Sequence, residues 1–203
     1  MSESGAGWKG IARAFRTMVG AVREDHRMLR HYDAKYAPER DLGPGLASDL
    51  VRRIGFQVLV AYRGMRFLSD ARIPLAPQVA ARMIRHLYGS DIHWEAHLEP
   101  GVMLVHGMGL AVSRAARVES GAILFQNVTL GMGTGPGGVT GAPKVERDVH
   151  VGAGSTVVGP ITIGARSKVT ANCFVRTSVP PDSLVEAPQP RVSARERRLR
   201  SVE

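Results

Sequence analysis

From Val145 onward the chain sets an aliphatic residue at every sixth position: Val145, Val151, Val157, Ile163, Val169 and Val175. The same count runs backwards, past a glycine-rich interruption, through Val128, Ala122, Ala116, Leu110, Leu104, Leu98 and Ile92. A strict short repeat of this kind marks a β-solenoid. Each hexad supplies one short strand and a turn, three hexads close a triangular coil, and the aliphatic side chain points to the axis. Small residues such as Gly152, Gly154, Gly159 and Gly164 suit the corners, where the backbone turns sharply. A β-sandwich with Val-rich strands would not keep a strict hexad. Spacing leaves the hand of the coil open, although crossovers between parallel strands are normally right-handed.

Before the repeat the period changes. Trp8, Ile11, Phe15, Met18, Val22 and Leu29 fall at steps of three, four or seven with Lys9, Arg13, Arg16 and Arg23 between them, which predicts an amphipathic helix over 8–32. This helix packs on its neighbours or on a partner subunit; the competing reading is a basic helix lying on a membrane surface. The prolines and glycines of DAKYAPERDLGPG, from Asp33, predict a linker. A second helix is expected from an N-cap near Ser48 through LVRRIGFQVLVAYRGMRFL, and a third over Ala76 to Tyr88. The expected division is therefore a helical segment over 1–89, a solenoid over 90–185 and a basic tail over 186–203.

Composition adds the following. The 203 residues are 44% hydrophobic with 5% aromatic, enough to bury one domain core plus an appendage. A net charge of +9 favours anionic partners in general without choosing among nucleotides, acidic glycans, nucleic acid or a membrane surface. The single cysteine, Cys173, excludes an internal disulfide framework and fits a reducing compartment. No apolar run is long enough to span a bilayer and MSESGAGWKG is not a signal peptide, so the cytoplasm is the expected location.

Several stretches together carry a resemblance: DIH at Asp91 to His93, HGMG at His106 to Gly109, QNVTLG at Gln126 to Gly131, GAGSTVVGPITIGARSKV ending at Val169, and VPPDS at Val179 to Ser183. In these the chain resembles the serine acetyltransferases of the left-handed β-helix (hexapeptide-repeat) acyltransferase superfamily, over about residues 20 to 185. The resemblance implies a mainly β fold, a left-handed parallel β-helix preceded by helices. It also implies a homotrimer or dimer of trimers, with acetyl-CoA held between neighbouring solenoids as co-substrate and no metal.

Acetyl transfer from a thioester to a hydroxyl needs a base, and histidine, titrating near neutrality, suits that work. By resemblance His106 is that base and Asp91 its carboxylate partner, which fixes the tautomer and stabilises the imidazolium. Fifteen residues separate them, a little less than one coil. His93 is divided between a structural and a functional role, while His97 and His150 read as surface residues. The interruption GMGTGPGGVTGA, Gly131 to Ala142, reads as too flexible for a strand. It resembles the loop beside the pantetheine arm and the acceptor, which implies Gly133 and Thr134 as cofactor-binding residues with Gly152 and Ala153 on the next coil; Lys168 matches a basic residue near the CoA end of the groove or is a solvated corner lysine.

The acceptor positions depart from the serine enzymes. Those enzymes place an aspartate before the catalytic histidine and an Arg-His pair before the loop's closing proline; here the positions hold Val105, Gly141 and Ala142. Only Asp33 aligns with an acceptor-binding aspartate of the helical segment. A free amino acid would leave its charges unpaired at such a site, at a cost of several kcal/mol. The expected acceptor is therefore a saccharide hydroxyl or another acceptor that is not free serine, with Asp33, Val105 and Ala142 lining its pocket. A serine acetyltransferase with an altered pocket and a non-catalytic trimeric scaffold are the alternatives. The ending RVSARERRLRSVE lacks the terminal isoleucine that docks serine acetyltransferases into cysteine synthase, so that complex is not expected, nor is nucleic-acid binding.

Overall fold

The computed structural model describes residues 4–39 and 43–191. Residues 192–203, most of the expected basic tail, lie outside the described residues. Four helices come first: α1 Ser4–Tyr36, α2 Leu46–Arg52, α3 Ile54–Asp70 and α4 Ala76–Tyr88. Helix α1 runs further than its apolar pattern, so Asp33 lies in its last turns and not in a linker. Ser48 sits inside α2, which starts after Gly45, and the expected single second helix is broken at Arg53, whose backbone is extended. Gly89, in the left-handed conformation, caps α4 and turns the chain into the solenoid.

Short parallel strands then stack in three sheets that form the faces of a triangular, left-handed β-helix. The first face holds Asp91–Ile92, Ala111–Val112, Thr129–Gly131, Thr156–Val158 and Phe174–Val175. The second holds His97–Leu98, Arg117–Val118, Lys144–Val145 and Thr162–Ile163, and the third Met103–Leu104, Ile123–Leu124, His150–Val151, Lys168–Val169 and Leu184–Val185. In every strand of these faces but the last, Leu184–Val185, one aliphatic residue such as Leu98, Leu124, Val151 or Ile163 is buried on the axis. Each such burial contributes roughly 1.5–3 kcal/mol, so the ladder as a whole holds the coil.

The hexad register contains a slip that the count conceals. Each repeat before the last buries two positions, the strand residue and the one two places before it, as in Ala116 with Val118, Ala122 with Leu124, Val128 with Leu130 and Val149 with Val151. Leu104 is a strand residue but Leu110 is a corner residue, and the next strand residue is Val112. The corner between them is two residues too long. Backbone bonds from Val105 N–H to Leu124 O and from Asn127 N–H to Met108 O match Val105 to Phe125 and Met108 to Gln126 on the next coil, so the extra residues are His106 and Gly107.

The glycine-rich interruption is also ordered differently from the expectation. Gly133–Thr134 and Thr140–Gly141 pair as a small antiparallel hairpin across a turn at Pro136–Gly138. His97 is exposed, but His150 is half-buried, with Tyr36 edge-on to its ring at 6.2 Å. A buried ion pair fixes α1 and α3 to the solenoid. Arg63 donates to both oxygens of Asp25 at 2.8 and 3.0 Å and to the carbonyls of Leu98 and Glu99, while Gly101 N–H also donates to Asp25. Burial pushes the Asp25 carboxyl pKa up, partly offset by these bonds. Removing one partner of such a pair leaves a buried charge alone, which costs about 3–5 kcal/mol.

Candidate active site

His106 stands on the two-residue bulge with φ 66°, and Gly107 follows at φ 68°. Positive φ is shared by other solenoid corners, Asn127 and Asn172 on the same edge among them, so what sets this corner apart is its two extra residues. Two contacts hold this one. Ser90 Oγ donates to Gly107 O at 2.7 Å, tying the bulge to the end of α4, and the first turn of α3 is pressed against it. A Cβ on Gly55 would lie 1.9 Å from Leu104 O, and one on Gly107 would lie 2.6 Å from the Cα of Gly55. The imidazole is thereby carried to the lip of a cavity of about 270 Å³, lined also by Tyr32, Asp33, Arg52, Arg53, Ile54, Val105 and Met108.

The structure brings His106, Asp33 and Val105 together around this cavity. Asp33 is only 1% exposed, and its Oδ2 accepts a bond from Arg53 at 2.8 Å, a partner that sequence reasoning did not supply. Asp91 lines a different concavity of about 450 Å³ on the first face, with His93, Trp94, Ser113 and Thr129. Its carboxylate meets Arg85 of α4 at 2.6 Å, and among the described residues no hydrogen bond joins it to His106. His93 shapes the neighbouring corner: its ring stacks on Trp94 and its Nδ1 accepts the Glu95 N–H.

The remaining candidates fall on two edges of the prism. Gly152 and Ala153 belong to the edge where the third face turns into the first, the edge of His106, stacked above it with Gln126 and Asn127 between. Bonds from Gly154 N–H to Gln126 O and from Asn172 N–H to Ala153 O continue the stack. Lys168 projects from the third face just before that edge, in register with His150. Burial, then the charges of Lys168 and Lys35, push the His150 pKa down, so the local field is positive despite Asp148. Gly133, Thr134 and Ala142 lie on the other side of the first face, where it turns into the second. One chain therefore does not gather all the candidates into one groove.

The sequence reading missed the residues that hold the site: Arg53 at Asp33, Arg85 at Asp91, and Ser90 and Gly55 at the bulge. It also missed Gln126, whose side-chain Oε1 is buried without a partner in the structure. Buried acceptors nearly always have one, and Ser113 Oγ is the other such atom among the described residues. The position of Gln126 in QNVTLG was the available signal. Among the described residues no group of His, Cys, Asp and Glu could hold a metal ion, and no helix is long and apolar enough to cross a membrane.

No family model matches the chain. It is 37% identical over 131 residues to the serine acetyltransferase of Synechococcus elongatus, covering 64% of this chain and 53% of that protein. It is 33% identical over 154 residues to the serine acetyltransferase of Mycobacterium tuberculosis, covering 75% and 67%. A solved structure of a serine acetyltransferase in complex with CoA superposes with a TM-score of 0.74 at 25% identity, over 88% of this chain and 71% of that one. The chain spans about half the length of the first of these relatives.

Proposed function

The chain belongs to the serine acetyltransferase family of hexapeptide-repeat acyltransferases, and from this we propose that it is an acetyl-CoA-dependent O-acetyltransferase with His106 as its base. The observation that carries the reading is the His106 bulge: a two-residue insertion at one corner of the coil, fixed by Ser90 and Gly55, that sets an imidazole at the lip of a small cavity. A non-catalytic scaffold would have no use for it. His106 takes the acceptor's hydroxyl proton as the oxygen attacks the thioester carbonyl carbon. The tetrahedral intermediate then collapses, the C–S bond breaks, and the imidazolium returns the proton to the departing thiolate. Asp91, swung from Arg85 to the ring, fixes the tautomer and stabilises the imidazolium.

Acetyl-CoA follows the His106 edge in this reading. Gly152 and Ala153 offer backbone groups to the pantetheine arm, and the field of Lys168 and Lys35 favours the phosphates. Gly133 and Thr134 reach the thioester from a neighbouring chain, since they occupy another edge of their own, and this makes the working unit a homotrimer or a dimer of trimers. The exposed apolar stripe of Val79, Met83 and Leu87 on α4, with Leu75 just before it, supports such an association.

The names of the relatives make serine the first acceptor to test. One observation favours a second reading, a hydroxyl on a saccharide or other acceptor: Val105, Gly141 and Ala142 bring no charge, and the Asp33 carboxylate is engaged by Arg53. Thiol release from acetyl-CoA, measured with serine, homoserine, hexoses and oligosaccharides, decides both levels. Release that depends on a hydroxyl acceptor is the expected result. Serine used with an efficiency above about 10⁴ M⁻¹s⁻¹, ordinary for an enzyme on its own substrate, establishes serine as the acceptor. A much lower value for serine than for a sugar establishes the second reading, and no release with any acceptor overturns the proposal.

A further inference from the structure

We propose that Arg85 is a positioning residue that holds the Asp91 carboxylate away from His106 and so limits the support Asp91 gives the base. The inference rests on the reading of His106 and Asp91 as the proton-transfer pair.

The backbone of Asp91 has no freedom to choose between partners. Its N–H donates to Leu110 O at 2.7 Å, its strand pairs with Ala111–Val112, and Ser90 just before it is bonded to Gly107 O. Gly89 N–H donates to the carbonyl of Arg85, so the end of α4 and the His106 corner are joined by a short taut link. Rotation of the Asp91 side chain is therefore what would carry its carboxylate from Arg85 toward the His106 corner. The side chains of Arg85 and Asp91 are 57% and 50% exposed, and exposed pairs of this kind are weak and readily exchanged. A carboxylate shared with a guanidinium stabilises a nearby imidazolium less than a free one does. The titratable groups around the pair are His93 beside Asp91, and Tyr32, Asp33, Arg52 and Arg53 around His106.

The test compares profiles of kcat/KM against pH, at fixed ionic strength, for the wild type, Arg85→Ala, Arg85→Lys, Asp91→Asn and the Arg85→Ala/Asp91→Asn pair. Circular dichroism and mass confirm that each variant folds and assembles as the wild type does. With Arg85→Ala the acid limb is expected to move to higher pH by roughly half a unit or more, because Asp91 is released to His106. Arg85→Lys keeps the cation and retains most of the wild-type limb, and in the Asp91→Asn background removing Arg85 moves nothing. A merely structural role for Arg85 would change amplitudes and leave the limb in place. Coincident limbs for wild type and Arg85→Ala would overturn the inference, as would a shift that persists without Asp91. Absence of thiol release by the wild type with every acceptor would instead remove the proton-transfer reading on which it rests.

Discussion

Replacing His106 with alanine is expected to lower turnover by roughly 10²- to 10⁴-fold, the usual contribution of a positioned general base, while CoA affinity stays within a few-fold of the wild type. The separation follows from the geometry. The imidazole is exposed on the bulge and supports no packing, whereas the stacked corner residues Gln126, Gly152 and Ala153 are untouched by its removal. Asp91→Asn should cost less, because the base remains and only its orientation and charge support are lost. Steady-state thiol release together with equilibrium CoA binding checks both statements. A His106→Ala variant that keeps most of the wild-type turnover would show that the proton is taken elsewhere.

Gly55→Ala is expected to have a comparable effect from outside the chemistry. A Cβ there would meet Leu104 O at 1.9 Å, the Leu104 carbonyl carbon at 2.9 Å and His106 N at 3.4 Å. These are backbone atoms and cannot rotate away, so either α3 lifts from the corner or the bulge shifts. A displacement of about 1 Å in a catalytic group can cost on the order of 10²-fold in rate, and overpacking costs about 1–3 kcal/mol of stability. Turnover should therefore fall by about that factor with a drop in thermal midpoint, while the upper coils keep their β signal in circular dichroism. Wild-type turnover in Gly55→Ala would mean that the α3 contact does not fix His106.

The solenoid was legible because each hexad repeats the same burial, but the slip at His106 was not, for a physical reason. Each repeat before the last buries two positions two residues apart, and both accept small or aliphatic side chains. When two residues are inserted at one corner, the count of six passes from the strand position, Leu104, to the corner position, Leu110, without meeting a polar residue. The irregularity that carries the catalytic candidate is thus hidden by the regularity around it. The end of α1 was misread for a different reason. Ala21, Asp25, Leu29 and Asp33 form one buried stripe at four-residue spacing, but two of the four are carboxylates and do not register as apolar periodicity. Their burial depends on Arg63 and Arg53, which are 38 and 20 residues away in sequence. The hairpin in the glycine-rich loop was missed because glycine gives strands little propensity; Gly133 and Thr134 lie opposite Gly141 and Thr140, with a backbone bond from Gly135 N–H to Val139 O and a hydroxyl contact between the two threonines.

The central claim is that one active site is built from two edges of different chains, His106 with Gly152 and Ala153 from one and the Gly133 hairpin from another. Subunit mixing tests it most directly. Gly133 backs onto Val158 and Gly159, and a Cβ there would lie 2.6 Å from the Val158 side chain, so Gly133→Trp should displace the hairpin and abolish thiol release while leaving the His106 edge of its own chain intact. Chains carrying His106→Ala and chains carrying Gly133→Trp, each inactive alone, are dissociated, mixed and reassembled, and thiol release is measured. Activity should reappear, because some interfaces then pair an intact His106 with an intact hairpin. Mixed assemblies that form, as shown by mass, and yet remain as inactive as either parent would contradict the account.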